Sequence, residues 1–292
     1  MTLFRRTWPA TPRAALDALY RGEVFHLPAN AASLALVDRA RAELSGAVSA
    51  ALGEGVPFDV RQAHALLSPD AFFAAMGVVR RRIYLEPEGH ELVRDVVASL
   101  GFDLASLAFD PARLRVIAHR GHENPAAAPV YTAHRDVWYG HPPSLVTWWL
   151  PLDDLAEEET FVFYPDSFAR AVPNDSEVFD YAEWVRQGWS LKIGWQDPES
   201  SKKARYPGVV GAIEPGPAEG FSCRRGDVLL FSGGHFHGTR PQATGRTRYS
   251  LDFRTVDLDD ARVGRGAPNV DDRSRGSALP DYVQGARLAA RG

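Results

Sequence analysis

Seven residues late in the chain, Arg248-Tyr-Ser-Leu-Asp-Phe-Arg254, alternate strictly between polar and apolar. On a strand, successive side chains point to opposite faces, so Arg248, Ser250, Asp252 and Arg254 share one face and Tyr249, Leu251 and Phe253 the other. An apolar face of that length needs a core to bury against. A polar face of that length asks for a wet cavity rather than packed hydrocarbon. The pattern therefore restricts the chain to a β-rich sandwich or barrel with a polar interior. From about Leu114 onward the texture agrees: short apolar runs separated by Gly, Pro, Asn and Asp predict strands at Leu114–His119, Tyr131–Trp138, Leu145–Leu150, Thr160–Tyr164, Asp227–Phe231 and Arg248–Val256.

The first hundred residues read differently. Thr11-Pro12 sets a cap before a proline at the first helical position, Ser33 to Leu52 spaces its apolar residues by three and four, and Glu88 to Leu100 ends at Gly101. The expected organisation is one domain over 1–292. Residues 1–110 form a mainly helical part, 111–256 the β core, and 257–292 a C-terminal tail that is Gly/Arg/Asp-rich and expected to be loosely ordered from Val263. Within the core, 172–220 is a long polar insertion, of the length that serves as a lid or binding loop. With 45% hydrophobic residues the chain has ample material for a core. Thirty-three basic against 37 acidic residues, net −4, give no reason to expect nucleic acid or an anionic membrane as partner. A single cysteine, Cys223, rules out an internal disulfide framework. The absence of a leader or of roughly 18 uninterrupted apolar residues makes a soluble, cytoplasmic protein the expectation. Oligomeric state has no signature.

Two features carry chemistry. His134-Arg135-Asp136 lies in a predicted strand, where residues two apart converge on one side and Arg135 points to the other. Gly226-Asp227 opens an apolar strand, and beyond its end come His235 and His237, both placed to join the first pair. Two histidines and one carboxylate on one face leave three positions of an octahedral ion open, the facial triad of non-haem iron(II) oxygenases. Such a centre takes 2-oxoglutarate at two positions and O2 at the third. The far carboxylate of 2-oxoglutarate then needs a cation. Arginine suits it, because its planar fork grips a carboxylate bidentately and does not lose its proton. Arg248 follows His237 by eleven residues, about one hairpin away.

Taken together, the His-x-Asp, the Gly-Asp strand opening, the histidine eleven after that glycine and the arginine eleven after the histidine resemble the phytanoyl-CoA dioxygenase-like branch of the iron(II)/2-oxoglutarate oxygenases, over roughly Leu114 to Arg254. The resemblance implies a double-stranded β-helix (jelly-roll, cupin-like) core with flanking helices. It makes His134, Asp136 and His237 the iron ligands, prefers His237 to His235, and makes Arg248 the cosubstrate clamp. It sets Thr239 and Trp149 beside the cosubstrate. The family's Pro-Gly-Ser-His turn is replaced here by Tyr164-Pro165-Asp166-Ser167-Phe168, a departure on the substrate side. Halogenating relatives lack the carboxylate, so Asp136 implies hydroxylation or another oxidation.

The expected activity is oxidation of a small organic molecule, amino-acid-like or a secondary metabolite, with release of succinate and CO2. Desaturation and ring closure use the same apparatus. Two other classes stay open: a cupin-type isomerase or hydrolase with a non-redox metal, and a non-catalytic jelly-roll binding protein. Around the centre, Thr147 shares its face with Trp149 and can hydrogen-bond in the cavity. Trp138 and Tyr139 serve either as substrate walls or as packing. Arg254 meets either an anionic substrate or a salt-bridge partner. Lys202, Lys203 and Arg205 belong either to a solvated loop or to a closing insertion.

Overall fold

The computed structural model describes residues 3–53, 55–188 and 206–285. Lys202, Lys203 and Arg205 lie outside them. At the N-terminus, β1 (Phe4–Arg5) precedes α1 (Pro12–Tyr20), whose first turn is capped by the Thr11 hydroxyl accepting from Ala14 N at 3.2 Å. After β2 (Val24–Leu27), α2 (Ala31–Leu52) begins in a reciprocal cap between Asn30 and Ser33, two residues before the expected start. A short α3 (Ala63–Leu66) leads to α4 (Pro69–Leu85), which the sequence reading did not foresee, and α5 (Pro87–Ser99) follows close to its expected place.

Seven strands form the large sheet, in the order β1-β2-β6-β4-β8-β3-β9, with β3 Leu107–Ile117, β4 Leu145–Pro151, β6 Val228–Ser232, β8 Arg248–Asp257 and β9 Val283–Gln284. A small second sheet pairs β5 (Phe161–Phe163) with β7 (His237–Thr239). The alternation of β8 is used as its sequence requires. Tyr249, Leu251 and Phe253, with Val146, Trp148 and Leu150 of β4, form one core with α1, α2, α4 and α5. On the opposite face Trp149, Leu229 and Phe231 meet Phe161 and Phe163 of the small sheet. The result is a sheet-rich jelly-roll core: a mixed sheet with helices on its outer face and a second sheet across its inner one.

Three expectations are corrected. The expected strand Tyr131–Trp138 is not a strand: α6 (Ala128–Tyr131) is followed by one isolated bridge at His134 and a 3-10 turn, Asp136–Tyr139. The aromatic and β-branched residues there favour extension, but only one residue finds a strand partner. The strand expected at Leu114 begins seven residues earlier, at Leu107, because β8 is long enough to pair with all of it across a bulge between Asp110 and Arg113. The tail is not loose through residue 285. After α7 (Tyr181–Gly188), the 206–227 stretch and α8 (Leu258–Val263), it returns along residues 138–144, with Gly140 N donating to Ser274 Oγ and Ala278 N to Gly140 O. Gly266 passes so close to the Pro143 backbone that a Cβ there would lie 2.2 Å from its carbonyl carbon. No helix among the described residues is long and apolar enough to cross a membrane.

Candidate metal centre

The two histidines are joined through their backbones. His134 N donates to His237 O at 2.9 Å and His237 N returns the bond to His134 O at 3.0 Å, so both side chains leave the bridge on one side, with ring centroids 4.6 Å apart. Gly238 eases this approach: a Cβ there would stand 3.1 Å from the Ala133 Cβ, a tight contact. Each ring is oriented by its own chain, His134 Nδ1 bonding Thr132 O at 2.8 Å and His237 Nδ1 bonding His235 O at 3.0 Å. A carbonyl partner fixes the proton on Nδ1 and leaves Nε2 as a lone-pair donor.

Asp136 completes the group. Its Oδ2 accepts from Thr147 Oγ1 at 2.5 Å, and its Oδ1 lies 3.6 Å from His134 Nε2. The ligand atoms of His134, Asp136 and His237 all fall within 4.8 Å of one another, the spacing at which one ion can be shared, and imidazole plus carboxylate donors suit a divalent first-row metal. Burial would raise the Asp136 carboxyl. Arg254, 3.4 Å away, together with the two histidines, outweighs it and holds the group well below the usual carboxylate range. Burial, then the neighbouring His134, pushes His237 down to about 4, so it is a neutral imidazole near neutral pH.

Arg248, at the start of β8, is 3% exposed, and its guanidinium lies 5.9 Å from the Trp149 ring centre. The charged groups beside it are already matched. Asp252 is held bidentately by Arg115 at 2.7 and 2.8 Å, Asp110 is held by Arg113, and Arg254 reaches Asp110, Asp136 and Asp252 at 3.4–3.6 Å. Arg248 Nε and Nη1, by contrast, have no hydrogen-bond partner among the described residues. Burial lowers its pKa to about 10, which still leaves it charged at neutral pH. A buried, unpaired guanidinium is costly unless an anion joins it. Trp149 and Phe161 link Arg248 to His237: their rings are 5.4 Å apart, and Phe161 is 5.7 Å from His237.

The remaining residues divide. Thr239 ends β7 and is half-buried. Thr147 sits opposite Arg254 in the sheet and donates to Asp136. Tyr139 packs edge-on against His134 at 5.4 Å and borders Phe179 and Tyr206, the latter from the far flank of the insertion. Trp138 is corrected as a substrate wall: it is fully buried against Phe236, and its indole donates to Asp271 Oδ1 at 2.8 Å. Arg254 takes the salt-bridge alternative. His235 is buried against Phe168 at 4.6 Å, away from the three ligand atoms, and burial holds it near 3. No local pattern announces the Arg115–Asp252 pair, or the role of Asp271, which reaches Trp138 and Arg135 across 133 and 136 residues once folding brings the tail back.

A jelly-roll core that gathers two histidines and a carboxylate between its sheets defines the class: a protein built around a candidate mononuclear, non-haem metal centre. The chain belongs to the phytanoyl-CoA dioxygenase family, which matches residues 35–250. Among solved structures it is similar to AviO1 from Streptomyces viridochromogenes Tue57, at 15% identity over 90% of this chain and 100% of that one, TM-score 0.43. It is also similar to SnoK, a non-haem α-ketoglutarate-dependent carbocyclase from nogalamycin biosynthesis, at 16% over 91% and 95%, TM-score 0.43. A third is HygX from Streptomyces hygroscopicus, solved with nickel and 2-oxoglutarate, at 17% over 91% and 97%, TM-score 0.40. No curated protein matches the chain.

Proposed function

We propose that the chain is an iron(II)- and 2-oxoglutarate-dependent oxygenase that oxidises a small organic molecule and releases succinate and CO2. One observation carries the reading: a two-histidine, one-carboxylate cluster shares an aromatic wall with a buried arginine that has no ion-pair partner among the described residues. A non-redox metal enzyme has use for the first and none for the second. Iron(II), when bound, supplies the redox centre at which O2 is activated as the oxo-acid loses CO2.

The chain's own residues do the rest. His134 and His237 hold the ion through Nε2, because their Nδ1 protons are committed to backbone carbonyls. Thr147 fixes Oδ2 of Asp136 and so turns Oδ1 toward the histidines. Arg248 binds the distal carboxylate of 2-oxoglutarate, Trp149 and Phe161 keep water from that ion pair, and Thr239 borders the same end. The substrate enters on the Tyr139 side, which Phe179 and Tyr206 border; residues 189–205 of the 172–220 insertion lie outside the described residues. Hydroxylation is the expected outcome, since Asp136 keeps the carboxylate in the ligand set.

Anaerobic addition of iron(II) and 2-oxoglutarate tests the reading. A weak visible charge-transfer band should appear only when both are present and vanish in His237→Ala. His134→Ala and Asp136→Ala should reduce turnover to background while the fold persists. Iron bound without the band would return the chain to the non-redox metal enzymes.

A further inference from the structure

The middle residue of the His-x-Asp motif does not face the ligands, yet it is the most heavily bonded side chain around them. Arg135 is 1% exposed. Its Nη1 donates to Gly234 O, in the loop that leads to His237, and its Nη2 donates to Ser167 O at 2.6 Å and Arg170 O at 2.9 Å. One guanidinium thus ties the segment carrying His134 and Asp136 to the segment carrying His237. It also ties both to the 165–170 turn, where this chain departs from its family's pattern.

The charge of Arg135 is met by the C-terminal segment. Asp271 Oδ2 accepts from Arg135 Nε at 3.0 Å and from Val172 N at 2.9 Å, and Oδ1 accepts from Trp138 Nε1 at 2.8 Å. The Asp271 carbonyl accepts from Asn174 Nδ2 at 3.1 Å. Asp271 therefore gathers Arg135, Trp138 and the start of the 172–220 segment. Its side chain is 5% exposed. Both oxygens accept from protein donors, two at Oδ2 and one at Oδ1, the arrangement that fixes a carboxylate and through it the groups it holds.

We propose that Asp271 is a positioning residue for the metal centre, acting through Arg135 and Trp138, so that the C-terminal segment sets the geometry in which His134, Asp136 and His237 meet. The inference rests on the reading of those three as metal ligands. Groups that orient metal ligands from behind commonly cost about 10–100-fold in metal affinity when removed. Asp271 is one residue further back and acts on two ligand-bearing segments at once, so a loss of about tenfold is expected.

Cobalt(II) titration of the full chain tests this, with the visible ligand-field spectrum as a second readout. In Asp271→Asn the charge is lost and one acceptor becomes a donor facing Arg135 and Val172. Its cobalt(II) affinity should fall about tenfold and its spectrum change in the protein that remains folded by circular dichroism. Arg135→Met combined with Asp271→Leu removes both charges without leaving either one buried alone, so it should fold. Its cobalt(II) affinity should fall as well, because the fastening to Gly234, Ser167 and Val172 is gone. Lower thermal stability with unchanged cobalt(II) affinity and spectrum, in either variant, would reduce the pair to a structural brace and overturn the proposal. Failure of the unaltered chain to bind cobalt(II) would overturn the metal reading as well.

Discussion

The two faces of the paired strands β4 and β8 share the same backbone and obey opposite rules. On the outer face Trp148 stacks on Phe253 at 5.2 Å and 18°, and its indole nitrogen finds Thr255 Oγ1 at 2.9 Å. Packing dominates there, and the polar atoms of Trp148 and Tyr249 are met within the fold. On the inner face Arg254, Arg115 and Arg113 are set against Asp136, Asp252 and Asp110, three cations with three carboxylates. That interior is balanced without Arg248. The outer face is complete as folded, whereas on the inner face Arg248 Nε and Nη1 have no hydrogen-bond partner among the described residues. A strand that spends one side on stability and the other on an unmet charge has kept its stability and its chemistry one residue apart.

The comparison is broken most forcefully from the outer side. Trp148→Ala removes a fully buried ring and should cost about 3–5 kcal/mol, measured by denaturant unfolding. The fraction that remains folded should bind iron(II) and 2-oxoglutarate as the parent does. A large change in 2-oxoglutarate affinity would mean that the faces are not independent.

Arg248→Met acts from the inner side and sharpens the contrast. In the absence of ligand it replaces an unpaired buried guanidinium by a flexible apolar side chain, so the variant should be more stable, by between about 1 and 4 kcal/mol. The same change should raise the 2-oxoglutarate concentration needed for half-maximal turnover by at least about 30-fold, the loss expected when one partner of a buried, hydrogen-bonded charge pair is truncated. Stability and cosubstrate affinity should therefore move in opposite directions. If the variant unfolds earlier and uses 2-oxoglutarate normally, Arg248 has a structural partner and is no clamp.

These two faces also mark what a sequence can disclose. The alternation of 248–254 is a local property that marks the strand and its two faces, just as the caps at Thr11 and Asn30 mark their helices. His134 and Asp136 meet His237 as the residue types and spacing suggest, but by another route. A 3-10 turn and a single bridge converge them, not the period of a strand. Glu157-Glu158-Glu159 reads as a solvated acidic turn, yet Glu159 is buried on Arg61. Asp271 lies in a tail whose composition suggests disorder. In both cases the deciding partner is remote, 98 residues away for Glu159 and 136 for Asp271, and a contact made by folding writes no pattern into its neighbourhood.

The smallest effect separates the faces by pH. Burial holds His237 near 4 and His235 and His141 near 3, all well below the ordinary value of about 6.5. His235 and His237 belong to the inner side, and His141 bonds Tyr282 beneath it. Beside the outer core, burial also lowers His64 of α3. A histidine with a depressed folded pKa takes up its proton more readily when unfolded, so the unfolded state gains protons first as the medium is acidified. The metal-free protein should accordingly keep its full stability above about pH 6.5 and lose it progressively toward pH 4. The lowered carboxylates Asp110, Asp136 and Asp252 add their own loss only further down. His235→Leu keeps the packing against Phe163 and Phe168 and removes one of the three sites. Unfolding midpoints at pH 7 and pH 5 should differ less in this variant than in the parent. An unchanged difference would place the acid sensitivity elsewhere in the molecule and remove the histidines of the inner face from its explanation.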